Sequence, residues 1–95
     1  NVPVEFTIGN PYPNPFNGII QFSLYMMKES PVSINVIDLS GKQISRIHNG
    51  NLSIGNHNFS WQGKNASGRS VSSGVYYIKV SGKSTEEWRP ITFVK

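Results

Sequence analysis

The chain has 95 residues, with nine Lys and Arg against five Asp and Glu, for a net charge of +4. That length holds one domain and not two. It has no cysteine, which excludes disulfides and thiolate metal sites, and no apolar run long enough to span a membrane. The basic residues are scattered rather than gathered into the patch that nucleic acid binding uses, so no nucleic acid partner is expected. Aromatic residues make up 12% and charged residues 15%, a balance that fits an exported all-β module better than a helical one. The chain starts at Asn1 without Met or a signal-peptide pattern. The expectation is a single domain over 1–95, the C-terminal module of a larger secreted protein with its cargo domain upstream.

Val2 to Ile8 alternates, with Val4, Phe6 and Ile8 against Pro3, Glu5 and Thr7, and predicts a short first strand. Pro3 puts its start on an edge. Asn10 to Asn17 is a proline strap. Proline fixes φ and has no N–H, and it pushes the residue before it away from helical geometry. Pro11, Pro13 and Pro15 therefore predict a stiff, extended segment with Tyr12 and Phe16 as apolar anchors. Ile20, Phe22, Leu24 and Met26 then share one face of the clearest half-buried strand. Met27 to Pro31 reads as a turn.

Val32, Ile34 and Val36 mark the next strand, whose phase blurs at Ile37-Asp38-Leu39. Ser40-Gly41 is a hairpin-type turn, with Asp38 as a carboxylate that accepts its N–H groups. Gln43 to Ile47 pairs back, Asn49-Gly50-Asn51 reads as a second turn, and Leu52 to Gly55 as a connection. His57, Phe59 and Trp61 form a further strand. Gln62 to Ser70 is a loop rich in turn residues. Gly74 opens the strand to Val80, Ser81 to Thr85 turns the chain, and Trp88 to Val94 closes it, with Pro90 marking an edge. About seven short strands without a helical period predict an all-β fold, an immunoglobulin-like antiparallel β-sandwich. The expected core is Ile20, Phe22, Leu24, Val32, Ile34, Val36, Phe59, Trp61, Tyr76, Ile78 and Val80.

The residues offer little for catalysis. Glu86 and Glu87 are adjacent and point to opposite faces of an extended chain, so they do not make a facing carboxylate pair. His48, read as solvated beside a turn, and His57, read as a packed strand residue, fall short of the ligand count of a zinc site. No nucleophile elbow and no phosphate-binding glycine loop is present. No catalytic residue, cofactor or metal is expected. Asn65-Ala66-Ser67 matches the glycosylation tripeptide within a loop where such residues are expected anyway. Tyr12, Tyr25, Trp61, Tyr77 and Trp88 are the aromatics from which a sugar-stacking platform could be built, with Tyr25 and Tyr77 on outward faces.

Four stretches in order carry a resemblance. They are Tyr12-Pro13-Asn14-Pro15-Phe16-Asn17, Val36 to Lys42 with its Asp38-x-x-Gly41, Gly55 to Trp61, and Ser73 to Val80. Together they resemble the type A C-terminal sorting domain of the bacterial type IX secretion system, a family related to the immunoglobulin-like domain of flagellar hook-capping proteins. Lys64 and Glu86-Glu87-Trp88 depart from that pattern. The resemblance implies a non-catalytic label, read in its folded state by the outer-membrane translocon. Its cargo would transit the periplasm and be secreted or held at the cell surface. The implied partners are the type IX translocon, a sortase-like attachment machinery, and anionic lipopolysaccharide joined to the processed cargo. The implied recognition residues are Asp38, Gly41, Lys42, Gly74, Tyr76, Tyr77, Ile91, Phe93, Val94 and Lys95. Pro13, Asn14, Pro15 and Phe16 are the strap signature, expected to serve the fold. The alternative is a carbohydrate-binding or structural accessory module of a secreted multidomain enzyme.

Overall fold

The computed structural model describes residues 4–95. Val2 and Pro3, the start of the first expected strand, lie outside the described residues. The strands are β1 (Phe6–Ile8), β2 (Ile20–Met26), β3 (Ser30–Asp38), β4 (Gln43–Leu52), β5 (Gly55–Trp61), β6 (Gly74–Ser81) and β7 (Glu86–Phe93). They form two antiparallel sheets, a three-stranded one in the order β1-β2-β5 and a four-stranded one in the order β4-β3-β6-β7. The alternation along β2, β3 and β6 sends one side chain in two toward the gap between the sheets. Ile20, Phe22, Leu24 and Met26 face Val32, Ile34, Val36, Ile78 and Val80 across it, all buried. The expected immunoglobulin-like sandwich is the observed one.

The structure differs from the sequence reading in several places, and Ser30 and Pro31, read as the end of a turn, open β3. Asn49-Gly50-Asn51 is not a turn: β4 continues through it, opposite Ser33, Val32 and Pro31 of β3. Register shifts in the β3–β4 ladder absorb the phase change that blurred at Ile37. The chain turns instead at Ser53 and Ile54, where it crosses from one sheet to the other. Phe59 is only half-buried; it stacks on Phe22 at 5.8 Å and on His48 at 5.5 Å at the margin of the core. His48 is accordingly a half-buried strand residue rather than a solvated one.

Just before β1 the alternation breaks, with Val4 exposed and Glu5 buried at 1% exposure. The Glu5 carboxylate accepts N–H bonds from Ser84 (2.9 Å), Thr85 (3.0 Å) and Lys83 (3.3 Å). It thus closes the β6–β7 turn, and Gly82 leaves room for it: a Cβ there would stand 2.6 Å from Glu5 Oε1. A buried carboxylate is tolerated because its charge is met by fixed donors.

The strap is a further difference. It bends rather than running extended, with cis peptide bonds at Tyr12-Pro13 and Asn14-Pro15. The bend carries the chain from one sheet to the other. Tyr12 bridges to Gln21 of β2, and four residues later Phe16 bridges to Phe93 of β7. Phe16 N–H donates to the Thr92 carbonyl (2.9 Å), and Val94 N–H donates to the Phe16 carbonyl (2.8 Å). The Asn14 side chain accepts the Thr92 N–H (2.9 Å) and donates to the Pro90 carbonyl (3.1 Å). Strap and amide side chain together satisfy the exit half of the outer edge of β7, which would otherwise be an open pairing template. Pro90, with no N–H, stands on that edge. Of the two expected anchors, only Phe16 is buried, at 2% exposure against 61% for Tyr12. Phe16 lies 5.0 Å from Phe93 and 5.8 Å from Trp61, ring centre to ring centre.

Candidate functional site

The residues singled out by resemblance are far apart in sequence but meet at one end of the four-stranded sheet. β3 ends there, β6 begins there and β7 ends there. Asp38 pairs with Tyr76, Tyr76 with Ile91, and Gly74 with Phe93. The N–H of Lys95 donates to Ser73 Oγ at 3.0 Å, tying the last residue to the start of β6.

At the tip of this end is the Asp38–Lys42 turn. Asp38 Oδ1 accepts from Ser40 Oγ (2.7 Å), Ser40 N–H (2.9 Å) and Lys42 N–H (2.9 Å). The Ser40 hydroxyl bond, followed by the Lys42 N–H bond, holds the Asp38 carboxyl below the usual carboxylate range. Gly41 sits at φ 90°, which a side chain would resist. The turn-capping role expected of Asp38 is the observed one. Inward of it, Tyr76 is buried and donates its hydroxyl to the Ser72 carbonyl at 2.7 Å. Burial, and then the Asp38 charge, push the Tyr76 phenol up.

Burial divides the residues that the resemblance implies for recognition. Tyr76, Ile91 and Phe93 are buried at 7% exposure or less, so they shape the core and are not contact residues. Gly74 is half-buried and its φ of 155° serves the start of β6. Gly41, Lys42, Val94 and Lys95 are exposed, and Tyr77 is half-buried on the outer face.

Tyr77 leads to Trp88, named with it among the aromatics in the sequence, and to Lys79 and Glu86. On the outer face of β6 and β7, Tyr77 and Trp88 meet edge to face, centroids 5.9 Å apart at 76°. The Lys79 ammonium sits 5.2 Å above the Trp88 ring and 3.9 Å from Glu86. Trp88 Nε1 donates to Glu86 Oε2 at 2.8 Å. Trp88 keeps 42% exposure and Val75 37%. The signal was present in the parity of β7: with Ile91 and Phe93 inward, Trp88, Pro90 and Thr92 must face outward. The result is an aromatic and cationic patch of Tyr77, Trp88 and Lys79 on this outer face, with Trp88 five residues along β7 from Phe93.

Trp61, by contrast, is 3% exposed and donates Nε1–H to the Lys64 carbonyl at 2.9 Å. It is core, and no part of a sugar platform. The glycosylation-like Asn65 uses its side-chain oxygen to accept N–H bonds from Ser67 and Arg69, each at 3.0 Å. Among the described residues, no three His, Asp or Glu side chains gather as metal ligands. What this sheet can do chemically is make contact: it offers a rigid turn at one end, and two aromatic rings with a lysine on its outer face, over a well-packed base.

Two packed antiparallel sheets, with a buried Trp61 against Tyr76 and Phe93, define the immunoglobulin-like class. The chain belongs to the FlgD Ig-like domain family, which residues 14–86 match. No curated protein matches this sequence. Among solved structures, the fold is similar to part of dimeric latent PorU from Porphyromonas gingivalis. The TM-score is 0.73 at 12% identity, over 96% of this chain and 10% of that one. At that identity the likeness is one of fold, and the chain spans about a tenth of the PorU chain.

Proposed function

We propose that this domain is a C-terminal sorting label of the type IX secretion system. It is recognised as a folded unit by the outer-membrane translocon, and it directs an upstream cargo domain to the cell surface or beyond it. The observation that carries the reading is the convergence of motifs. The Asp38–Lys42 turn, the start of β6 and the end of β7 meet at one end of the sheet, and Tyr77 and Trp88 extend the outer face from there along β6 and β7. A label read after folding needs such a surface, because linear motifs separated in sequence become one epitope only in the native state. The domain itself catalyses no reaction on this reading. The sortase-like machinery acts on the junction with the cargo, and anionic lipopolysaccharide is attached to the cargo rather than to this domain.

The test is delivery of a reporter. Residues 1–95 are fused behind a secreted fluorescent protein in a host that has the system, and surface and medium fluorescence are measured. Native fusion should be delivered. Two folded variants, Tyr77→Ala with Trp88→Ala and Lys42→Glu with Lys95→Glu, should leave the reporter in the periplasm. No delivery of the native fusion overturns the sorting reading. Full delivery of both variants overturns the assignment of this surface.

A further inference from the structure

The opposite outer face, on the three-stranded sheet, has a different chemistry. Three cross-strand rows cover it. Tyr12 pairs with Gln21, and Gln21 with Ser60. Gly9 donates its N–H to Ser23, which pairs with Asn58. Thr7 pairs with Tyr25, and Tyr25 with Asn56. Directly paired residues share a face, so these side chains form one grid. None of them carries a charge, although the chain as a whole has fourteen charged residues, nine basic and five acidic.

The grid has two exposed rings and a low middle. Tyr25 is 49% exposed and Tyr12 61%. They stand one strand apart and four residues along it, about 14 Å at the rise of a strand. Between them the middle row is kept shallow by Gly9, where a Cβ would come within 2.9 Å of Ser23 Oγ. The rest is amide and hydroxyl. Asn56 Nδ2 leans on Asn58 Oδ1 at 3.4 Å. Among the described residues, no protein acceptor engages the amide N–H groups of Gln21 or Asn58. A carboxamide offers both donors and acceptors, and a tyrosine offers an apolar ring with a polar edge.

We infer that this face binds an uncharged polysaccharide, with Tyr12 and Tyr25 stacking on sugar rings and Gln21, Asn56 and Asn58 bonding hydroxyls. The match in charge is what selects the ligand. A polyanion or an acidic protein would find no counter-charge here, and a purely apolar partner would bury amides without partners. A neutral glycan has apolar C–H faces and hydroxyl rims in alternation, which suits rings set among amides. The polar contacts are solvent-exposed and individually weak, so the binding is to a polymer that engages both tyrosines at once. This activity is independent of the sorting reading and is measured on the isolated chain.

Affinity electrophoresis of the 95-residue chain through gels containing hydroxyethylcellulose, xylan, mannan or starch tests it, with alginate as the anionic control. At least one neutral polymer should retard the native chain. Tyr12→Ala with Tyr25→Ala should weaken that retardation at least tenfold while thermal unfolding stays cooperative. Trp88→Ala, on the other face, should leave it unchanged. Retardation by alginate alone overturns the inference, as does none by any neutral polymer. So does equal loss in the Trp88 variant. Sedimentation supplies a further check: a dimer that the double tyrosine variant dissociates would make the face a self-association surface and also overturn the inference.

Discussion

Glu5→Gln removes one charge from a buried carboxylate while keeping its outline. In the native domain the carboxylate accepts three backbone N–H groups of the β6–β7 turn. The amide oxygen can still receive Ser84 and Thr85, but its NH₂ then faces the Lys83 N–H, donor against donor. Hydrogen bonds to a charged acceptor contribute about 1.5–3 kcal/mol each, against about 1 for neutral ones. Two weakened bonds and one lost contact predict a destabilisation of about 2 kcal/mol at neutral pH. That corresponds to a fall of about 8–15 °C in Tm for a domain of this size.

The pH dependence supplies a second, independent signature of the same contact. The Ser84 N–H, against the opposing effect of burial and with help from Thr85 and Lys83, holds the Glu5 carboxyl below its ordinary value of 4.5. A carboxyl lowered on folding contributes stability that is fully present above its unfolded pKa. That contribution is lost as pH falls through the folded pKa. The gap between native and Glu5→Gln should therefore be constant from neutral pH to about 5 and close as pH drops below about 4. Urea titrations at a series of pH values measure both curves, and their difference removes the similar contribution of Asp38. A neutral-pH gap under about 0.3 kcal/mol would sink the capping argument, since that is no more than an ordinary surface substitution. A gap that persists unchanged at pH 3 would refute its electrostatic origin.

Phe16→Ala should cost about 3–5 kcal/mol, the usual loss for a buried aromatic, because the ring packs between Phe93 and Trp61; unchanged urea stability would mean that the strap lies outside the core. Gly63→Ala should also destabilise, by more than about 1 kcal/mol: Gly63 has φ 72°, and a Cβ there would stand 2.7 Å from the Phe93 ring. Full retention of Tm in that variant would show that the ring can move aside. Asn14→Ala should cost about 1–2 kcal/mol through its two edge hydrogen bonds, and it should speed hydrogen exchange specifically at the Thr92 amide. Equal protection of Thr92 in both forms would show that Asn14 does not seal that edge.

The strands were legible because their sequence carries a period of two against one buried face. β2 reads directly, since every second residue is apolar and both ends are punctuated. β4 misled because Asn49-Gly50-Asn51 has turn composition, yet β3 supplies an opposing ladder across it, and tertiary pairing outweighs local preference. Glu5 was hidden for a related reason. Alternation assigned it outward, and nothing local announces that three N–H groups from a turn nearly eighty residues later would receive it. Where β3 and β7 end and β6 begins, motif resemblance named residues of three strand ends without telling their inward side chains from their outward ones. Register and parity separate the buried Tyr76, Ile91 and Phe93 from the half-buried Tyr77 and the exposed Val94 and Lys95, and they set Lys79 and Trp88 beside Tyr77 on one face.

The way β7 is fastened links this fold to the proposed role. Its entry turn is closed by Glu5, before β1, and its exit half is sealed by Asn14 and Phe16 of the strap. Both clamps come from the first part of the chain, and both act on the last strand. A chain lacking β7 keeps the Lys83, Ser84 and Thr85 donors of Glu5 but loses the strand that closes their turn, and it leaves Phe16 without Phe93. The native core therefore forms only when the two ends of the domain have met, and with it forms the surface that joins Lys42, Tyr77 and Lys95. For a label that must report a finished fold, such wiring makes recognition conditional on folding. Deleting residues 86–95 should therefore abolish cooperative unfolding of the whole domain, as followed by near-ultraviolet circular dichroism of Trp61. A truncated chain that still unfolds cooperatively would show that β7 is an appendage, and would remove the basis for coupling recognition to folding.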